Sequence, residues 1–395
     1  MIHHLLAQNA AGMHIVSGFE MKQKAKKFED LGEKVIHLEI GEPDFHTPDN
    51  ITQAAIRALE EGHSHYAPAL GIPALRETIA RYVGEWKGIQ AGPGNVVVTP
   101  GAKPILYYTF MTFVCPGDEV IIPDPGFSIY GVLTRYREAV PVPLKAKEEN
   151  NFRITLEDLI PLVNDKTKLL ILNSPNNPTG SIIEEEEIRR IAEFLADKDI
   201  MILSDEIYDR LYFGEGKIIS LGSFPALREK TIVLDGFSKT YAMTGWRLGY
   251  GVMDEAVAKV FNPLIVSSNS CTNTFIQYAG VEAYQGPQRE VEVMKEEFRA
   301  RRDLFVGGLN SIPGVSCSMP DGAFYAFPNF RSFGLNSDEM TDYLLENAFI
   351  SSLPGNSFGE DLEGYVRFSY ATDRANLEEA LNRLESVLGK LRKSR

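Results

Sequence analysis

Cysteine is scarce in this chain of 395 residues: Cys115, Cys271 and Cys317 are three in all and lie far apart. That excludes a disulfide framework or a CxxC metal site and favours a reducing, cytosolic compartment in which the thiols are expected to be buried. Histidine is confined to one end, as His3, His4, His14, His37, His46, His63 and His65. The segment Gly355-Asn356-Ser357-Phe358-Gly359 matches the GxSxG of a hydrolase elbow, but an elbow needs a histidine base downstream and none follows. Nucleotide signatures are missing as well. There is no GxxxxGK[ST], and Gly92-Pro93-Gly94 lacks a third glycine and precedes a strand-like run instead of following one. No apolar run approaches the length of a membrane span, and the opening MIHHLLAQNA has neither the charged start nor the apolar stretch of a signal peptide. Positive charge is in the minority, with 40 Lys and Arg against 54 Asp and Glu. The net charge of −14 argues against nucleic acid or an anionic membrane as the main partner.

What is present is a 44% hydrophobic composition, enough for a large core and two or three domains, with no internal repeat or low-complexity linker. NVVVT (95–99), EVIIP (119–123), KLLILN (168–173), IMILS (200–204) and TIVLD (231–235) have the length and β-branched content of strands buried on both faces. Amphipathic stretches separate them. The clearest, Ile183 to Lys198, places Ile188, Ile191, Ala192 and Leu195 on one side. This alternation predicts an α/β fold whose large domain carries a mostly parallel sheet covered by helices, with RLGYGVM (247–253) as an additional strand. After about residue 290 the pattern changes to a long charged helix, EVMKEEFRARRDLFVGGL, then short strands and a last helix near NLEEALNRLESVLGKL. The expected organisation is therefore an arm at 1–45 that packs with the smaller domain, a large domain at 46–290 and a smaller α+β domain at 291–395.

In an open parallel sheet, ligands bind beyond the carboxyl ends of the strands. The unusual residues fall there. NVVVT leads into Pro100-Gly101-Ala102-Lys103, a small-residue turn opening a helix whose free N–H groups suit a phosphate. EVIIP leads to Phe127, KLLILN to Asn177 within SPNNPTG, IMILS to Asp205 and Tyr208, and TIVLD to Ser238 and Lys239, with Arg247 eight residues later. Taken singly, each has an ordinary explanation. NNPTG is a turn, Asp205 a helix cap, Phe127 core, Arg247 a surface ion-pair partner and Lys239 a solvated charge. Their joint arrival at five strand ends is the stronger signal. A lysine beside a phosphate cradle suggests a Schiff base to a phosphorylated aldehyde, and pyridoxal phosphate is the cofactor whose other atoms use the remaining groups. A carboxylate at Asp205 would keep a pyridine nitrogen protonated, Tyr208 and Asn177 would hydrogen-bond the ring oxygen, Phe127 would stack, and the Arg247 fork would neutralise the phosphate.

The segment GFSKTYAMTGWRLG (236–249) resembles the lysine signature of class I and II aminotransferases, in the fold-type I pyridoxal-phosphate superfamily. The resemblance extends through HLEIGEPDF (37–45), YAPALGIPALRETIA (66–80), NSPNNPTG (173–180), SDEIY (204–208) and GYVRFSYA (364–371). It implies that Lys239 carries the cofactor, Asp205 pairs with its ring nitrogen, Asn177 and Tyr208 contact the ring oxygen, and Phe127 stacks. The phosphate would meet the backbone of Gly101 and Ala102, with Lys103 nearby and Arg247 above. Arg367 would grip the substrate carboxylate with Gly41 close by. Tyr66 would reach the phosphate of a neighbouring subunit, which makes the active unit a homodimer. PGNSFG (354–359) would line the mouth of the site. Some relatives carry a phosphate-binding serine three residues before the lysine; Gly236 stands there here, and Ser238 is taken as its substitute.

The implied activity is transfer of an amino group between an L-amino acid and a 2-oxo acid, with 2-oxoglutarate the expected acceptor. A carbon–sulfur lyase using the same cofactor is the alternative, and a non-catalytic regulator on the same fold a more distant one. No second cation for a side-chain carboxylate is identifiable from the sequence. Tyr107, Tyr108 and Phe110 are expected to be core rather than pocket.

Overall fold

The computed structural model describes residue 9 and residues 18–393. His3, His4 and His14, and most of the opening segment, lie outside the described residues. Strand β1 (Ile36–His37) precedes the main sheet, whose strands are β2 (Val96–Thr99), β3 (Glu119–Asp124), β4 (Val140–Lys145), β5 (Thr167–Asn173), β6 (Met201–Asp205), β7 (Thr231–Gly236) and β8 (Gly249–Val252). Their order across the sheet is β2-β8-β7-β6-β5-β3-β4. β8 pairs antiparallel with both β2 and β7, and every other pairing is parallel. Reversing β8 alone leaves β2, β3, β5, β6 and β7 running the same way, so their carboxyl ends share one edge.

The five expected apolar runs are strands because each is buried on both faces. Leu169, Ile171, Leu203, Ile232 and Leu234 pack with Ile105, Phe110 and Phe261 on one side. The alternate residues Leu170, Leu172 and Ile202 pack with Ile188, Ile191 and Leu195 on the other. That second set belongs to the helix Glu185–Leu195, which buries the expected face but is shorter at both ends than the stretch Ile183 to Lys198. β4 was not anticipated. Its sequence VPVPLK contains two prolines, which a central strand does not tolerate but an edge strand does, and β4 is an edge of the sheet.

Beyond the sheet, β9 (Tyr325–Ala326), β10 (Ile350–Ser351), β11 (Leu353–Pro354) and β12 (Val366–Ser369) form small assemblies, with β12 between β11 and β9 and β10 paired parallel to β1. The helices Arg289–Ser311 and Arg374–Lys393 cover them, and Phe298, Phe305, Val366, Phe368, Leu377 and Leu384 share one core with Ile36 and Leu38. Ile36 and Leu38 thus pack with residues from the chain's last hundred positions. Tyr108 and Phe110 are core as expected, whereas Tyr107 is exposed. Of the cysteines only Cys317 is buried; Cys115 is exposed on the turn before β3, so the expectation of buried thiols holds for one of three. Among the described residues no helix is long and apolar enough to cross a membrane.

Candidate active site

The turn after β2 is shaped by backbone proximity. Gly101 has φ +81°, and a Cβ there would stand 2.1 Å from Nη2 of Arg247. Gly249, the first residue of β8, passes so close that its Cβ would lie 2.4 Å from the Ala102 nitrogen. No side chain caps the helix Lys103–Phe113 that follows, and the positive end of its dipole lies beneath Arg247. Arg247 is itself in the left-handed region, φ 58°, and donates from Nη1 to the Thr244 carbonyl at 2.7 Å.

The other strand ends converge on the same space. Asn173 at the end of β5 donates to the Asp205 carbonyl at 3.0 Å and accepts from the Asn177 nitrogen at 2.9 Å, tying the NNPTG turn to β6. From the far side, Arg367 on β12 donates to Asn177 Oδ1 at 3.1 Å and to the Glu39 carbonyl. Its guanidinium lies 4.4 Å from the ring centre of Tyr325 and 5.1 Å from that of Phe358, and its Nε has no partner. A single cavity of about 640 Å³ is lined by Gly41, Ala102, Lys103, Phe127, Asn177, Asp205, Tyr208, Ser238, Lys239, Arg247 and Arg367. Of the residues expected from the sequence, two lie outside it. Gly101 is packed beneath Arg247, and Tyr66 is 88% exposed on the surface.

Burial sets the electrostatics. Lys239 donates to the Gly41 carbonyl at 2.6 Å, and burial pushes its amine down to about 8; Glu42 opposes this, while Arg367, Lys103 and Arg247 reinforce it. Asp205 is pushed up to about 6 by burial, against the pull of a 2.7 Å hydrogen bond from Tyr130 and one from the Ile207 nitrogen. Tyr208 shares a 2.8 Å hydrogen bond with Tyr325, and burial holds its hydroxyl well above the usual tyrosine range. Burial and then Arg247 lower the Lys103 ammonium, which stands 5.3 Å over the Phe127 ring.

These features fit pyridoxal phosphate. A phosphate suits the uncapped helix start under Arg247, and a buried carboxylate with only two donors can take a ring N–H. A buried amine of lowered pKa suits a carbonyl carbon, and an orphaned Arg367 N–H awaits an anion. The comparisons agree. A family model described as aminotransferase class I and II matches residues 33–384. The chain belongs to this family. The aspartate aminotransferase of Pyrococcus horikoshii is 42% identical over 371 residues, 93% of either chain. The aromatic-amino-acid aminotransferase 2 of Thermococcus litoralis is 40% identical over 359 residues, 90% of this chain and 92% of that one. Among solved structures, the Thermus thermophilus aspartate aminotransferase with maleate superposes with a TM-score of 0.91 at 35% identity, covering 97% of this chain and 99% of the other. The protein is thus a pyridoxal-phosphate-dependent aminotransferase of fold-type I. The family bears out transamination, and nothing in the comparisons favours the lyase.

Sequence reasoning missed Tyr130, Tyr325 and Asn173. Tyr130 lay three residues beyond Phe127, and Asn173 closed a strand already singled out, so both carried a positional signal. Tyr325 carried none, because it meets Tyr208 across 117 residues of chain.

If Asp205 pairs with a ring N–H, affinity for pyridoxal phosphate is expected to weaken as the pH falls through about 6, where Asp205 takes up a proton. Fluorescence titration of the apoprotein across that range checks it, and Asp205→Asn should bind weakly at every pH. Gly249→Ala should displace the Ala102 turn, costing roughly 1–3 kcal/mol of stability and weakening cofactor binding, as thermal melts and the same titration would record.

Proposed function

We propose that the enzyme takes the amino group of an acidic L-amino acid, aspartate in first place, and passes it to 2-oxoglutarate in a ping-pong cycle, as a cytoplasmic homodimer. The observation that carries this reading is the charge of the cavity, where Lys103, Lys239, Arg247 and Arg367 face inward beside Asp205 and Glu42. With Lys239 assigned to the covalent link, Arg247 to the phosphate and Arg367 to the α-carboxylate, Lys103 is the cation left over at the edge of the phosphate region. Lys103 supplies the second cationic contact that a dicarboxylate needs and that the sequence alone did not single out. The names of relatives such as the aspartate aminotransferase of Geobacillus stearothermophilus support the same donor. The aromatic-amino-acid aminotransferase named above is the reason to test aromatic donors beside it.

When bound, the cofactor supplies an electron-poor ring that takes up the electron pair left as the substrate α-proton departs. Lys239 is assigned the covalent link and, once displaced by substrate, the proton transfer. With its pKa near 8, a useful share of the amine is neutral at physiological pH and can accept that proton, then give it back at the carbon on the other side of the substrate nitrogen. Asp205 is assigned to the ring nitrogen, and Tyr208 and Asn177 to the ring oxygen. Phe127 is assigned to the ring face. Gly101, Ala102, Lys103, Ser238 and Arg247 are assigned to the phosphate region, with Lys103 reaching toward the substrate as well. Arg367, held by Asn177 and Glu39, is assigned the α-carboxylate, which turns the breaking bond perpendicular to the ring. Gly41 is bare because a Cβ would stand 2.0 Å from the Tyr325 hydroxyl, which Tyr208 needs.

Tyr66 is assigned to the partner subunit's phosphate, a role that fits a large aromatic side chain 88% exposed. The division at 1–45, 46–290 and 291–395 is supported by the core that the arm and the carboxyl-terminal elements share, to which Tyr208, Leu211 and Phe213 of the large domain also contribute. A cytoplasmic setting fits three free cysteines.

Borohydride reduction of the holoenzyme should tag the peptide containing Lys239, and Lys239→Ala should abolish both tag and turnover; a different tagged peptide would defeat the assignment. Mixing the holoenzyme with single amino acids should bleach its yellow absorbance fastest with aspartate or glutamate. Arg367→Leu should lower kcat/KM by about 100-fold or more, the scale of a buried charge-assisted pair.

A further inference from the structure

Behind the strand ends lies a second polar cluster that no step above uses. Lys87, the last residue of the helix Pro73–Lys87, is buried, and its ammonium stands 2.9 Å from Glu206, 2.5 Å from Asp209 and 3.0 Å from Asp235. Other donors hold the same carboxylates. Ser204 and Ser220 donate to Glu206 at 2.7 and 2.6 Å, the Trp86 indole to Asp209 at 3.0 Å, and the Tyr250 hydroxyl and Gly236 nitrogen to Asp235 at 3.1 and 2.7 Å. Tyr82, Tyr241, Tyr284 and Arg210 complete the titratable surroundings.

The cluster and the site share their backbone. Asp205 and Tyr208 line the cavity, whereas their chain neighbours Glu206 and Asp209 do not and turn to Lys87 instead. Asp235 is the penultimate residue of β7, four residues before Lys239. We propose that Lys87 is a positioning residue of the reaction: by neutralising the carboxylates behind β6 and β7, it keeps Asp205 ionised for the cofactor nitrogen and holds Tyr208 and Lys239 in place. This rests on the assignment of Asp205 made above.

The physical argument is one of buried charge. Three buried carboxylates face one buried ammonium, and an unpaired buried charge of either sign is costly. Burial, and then the Asp209 charge against the pull of Lys87, pushes Asp235 up to about 7, so this aspartate takes up part of the surplus as a proton. Glu206 is one residue from Asp205, and its negative charge already opposes ionisation of Asp205. Lys87 offsets that charge. Around Asp205 itself, Tyr130 and Lys239 favour the carboxylate, which leaves Glu206 as the neighbour whose charge opposes it.

The test is the pH at which the apoprotein loses affinity for pyridoxal phosphate, read by tryptophan fluorescence. Lys87→Met leaves the charge of Glu206 unopposed and should move that midpoint upward by about one pH unit, about tenfold in affinity on the acid side. Glu206→Gln removes the opposing charge and should move it downward. Ile191→Ala, a cavity beneath the helix Glu185–Leu195, should lower the melting temperature and leave the midpoint alone. A purely structural role would move neither midpoint, or both the same way, and either result overturns the proposal. If Lys87→Met fails to fold, Glu206→Gln decides: a downward shift supports the proposal, and no shift or an upward one overturns it. Asp205→Asn separates the two readings. If the midpoint persists in it, the assignment of Asp205 is wrong; if it vanishes while the other variants leave it unmoved, only the inference about Lys87 fails.

Discussion

Parallel pairing among β5, β6 and β7 is the constraint on which the rest depends. The register sets Asn173 opposite Asp205, and Asp205 opposite Leu234, so β5 and β6 stop at the same level and β7 runs two residues further. Side chains from distant parts of the chain then emerge within a few ångströms of one another. Hydrogen bonds across that edge, from Asn173 to the Asp205 carbonyl and from the Asn177 nitrogen back to Asn173, continue the ladder past the last strand residue. Without that alignment the polar residues would be unrelated turn and loop positions.

Burial then gives those residues their properties. An exposed lysine would be fully protonated at neutral pH and a poor proton acceptor, and an exposed aspartate would pair with water. Inside the cavity, loss of solvent moves both toward neutrality, and neighbouring cations help to lower Lys239. The same burial makes the Lys87 cluster behind the strand ends consequential, because charge there is screened much less than at the surface. Front and back of one strand segment are thus electrically linked.

Legibility followed from how local each signal was. The central strands were readable because burial on both faces demands unbroken apolar runs, and the helix Glu185–Leu195 because one face must be apolar. β4 was unreadable, since an edge strand tolerates the prolines that elsewhere break a sheet. Residues at the strand ends stood out as polar groups interrupting apolar patterns. Tyr325 and Lys87 did not, because nothing near them in the chain indicates that they meet Tyr208 or Asp209.

By itself, the order of residues determined the α/β alternation, the strand ends where chemistry collects, and the lysine signature of the family. Those depend on neighbours within a few positions, where periodicity and turn chemistry act. Tertiary structure alone decided that β8 runs backward, that Gly249 touches the Ala102 turn, that Tyr130 holds Asp205, and that Lys87 sits among three carboxylates. Each of these is a contact between distant segments, and long-range contacts come from packing the whole core rather than from any local preference.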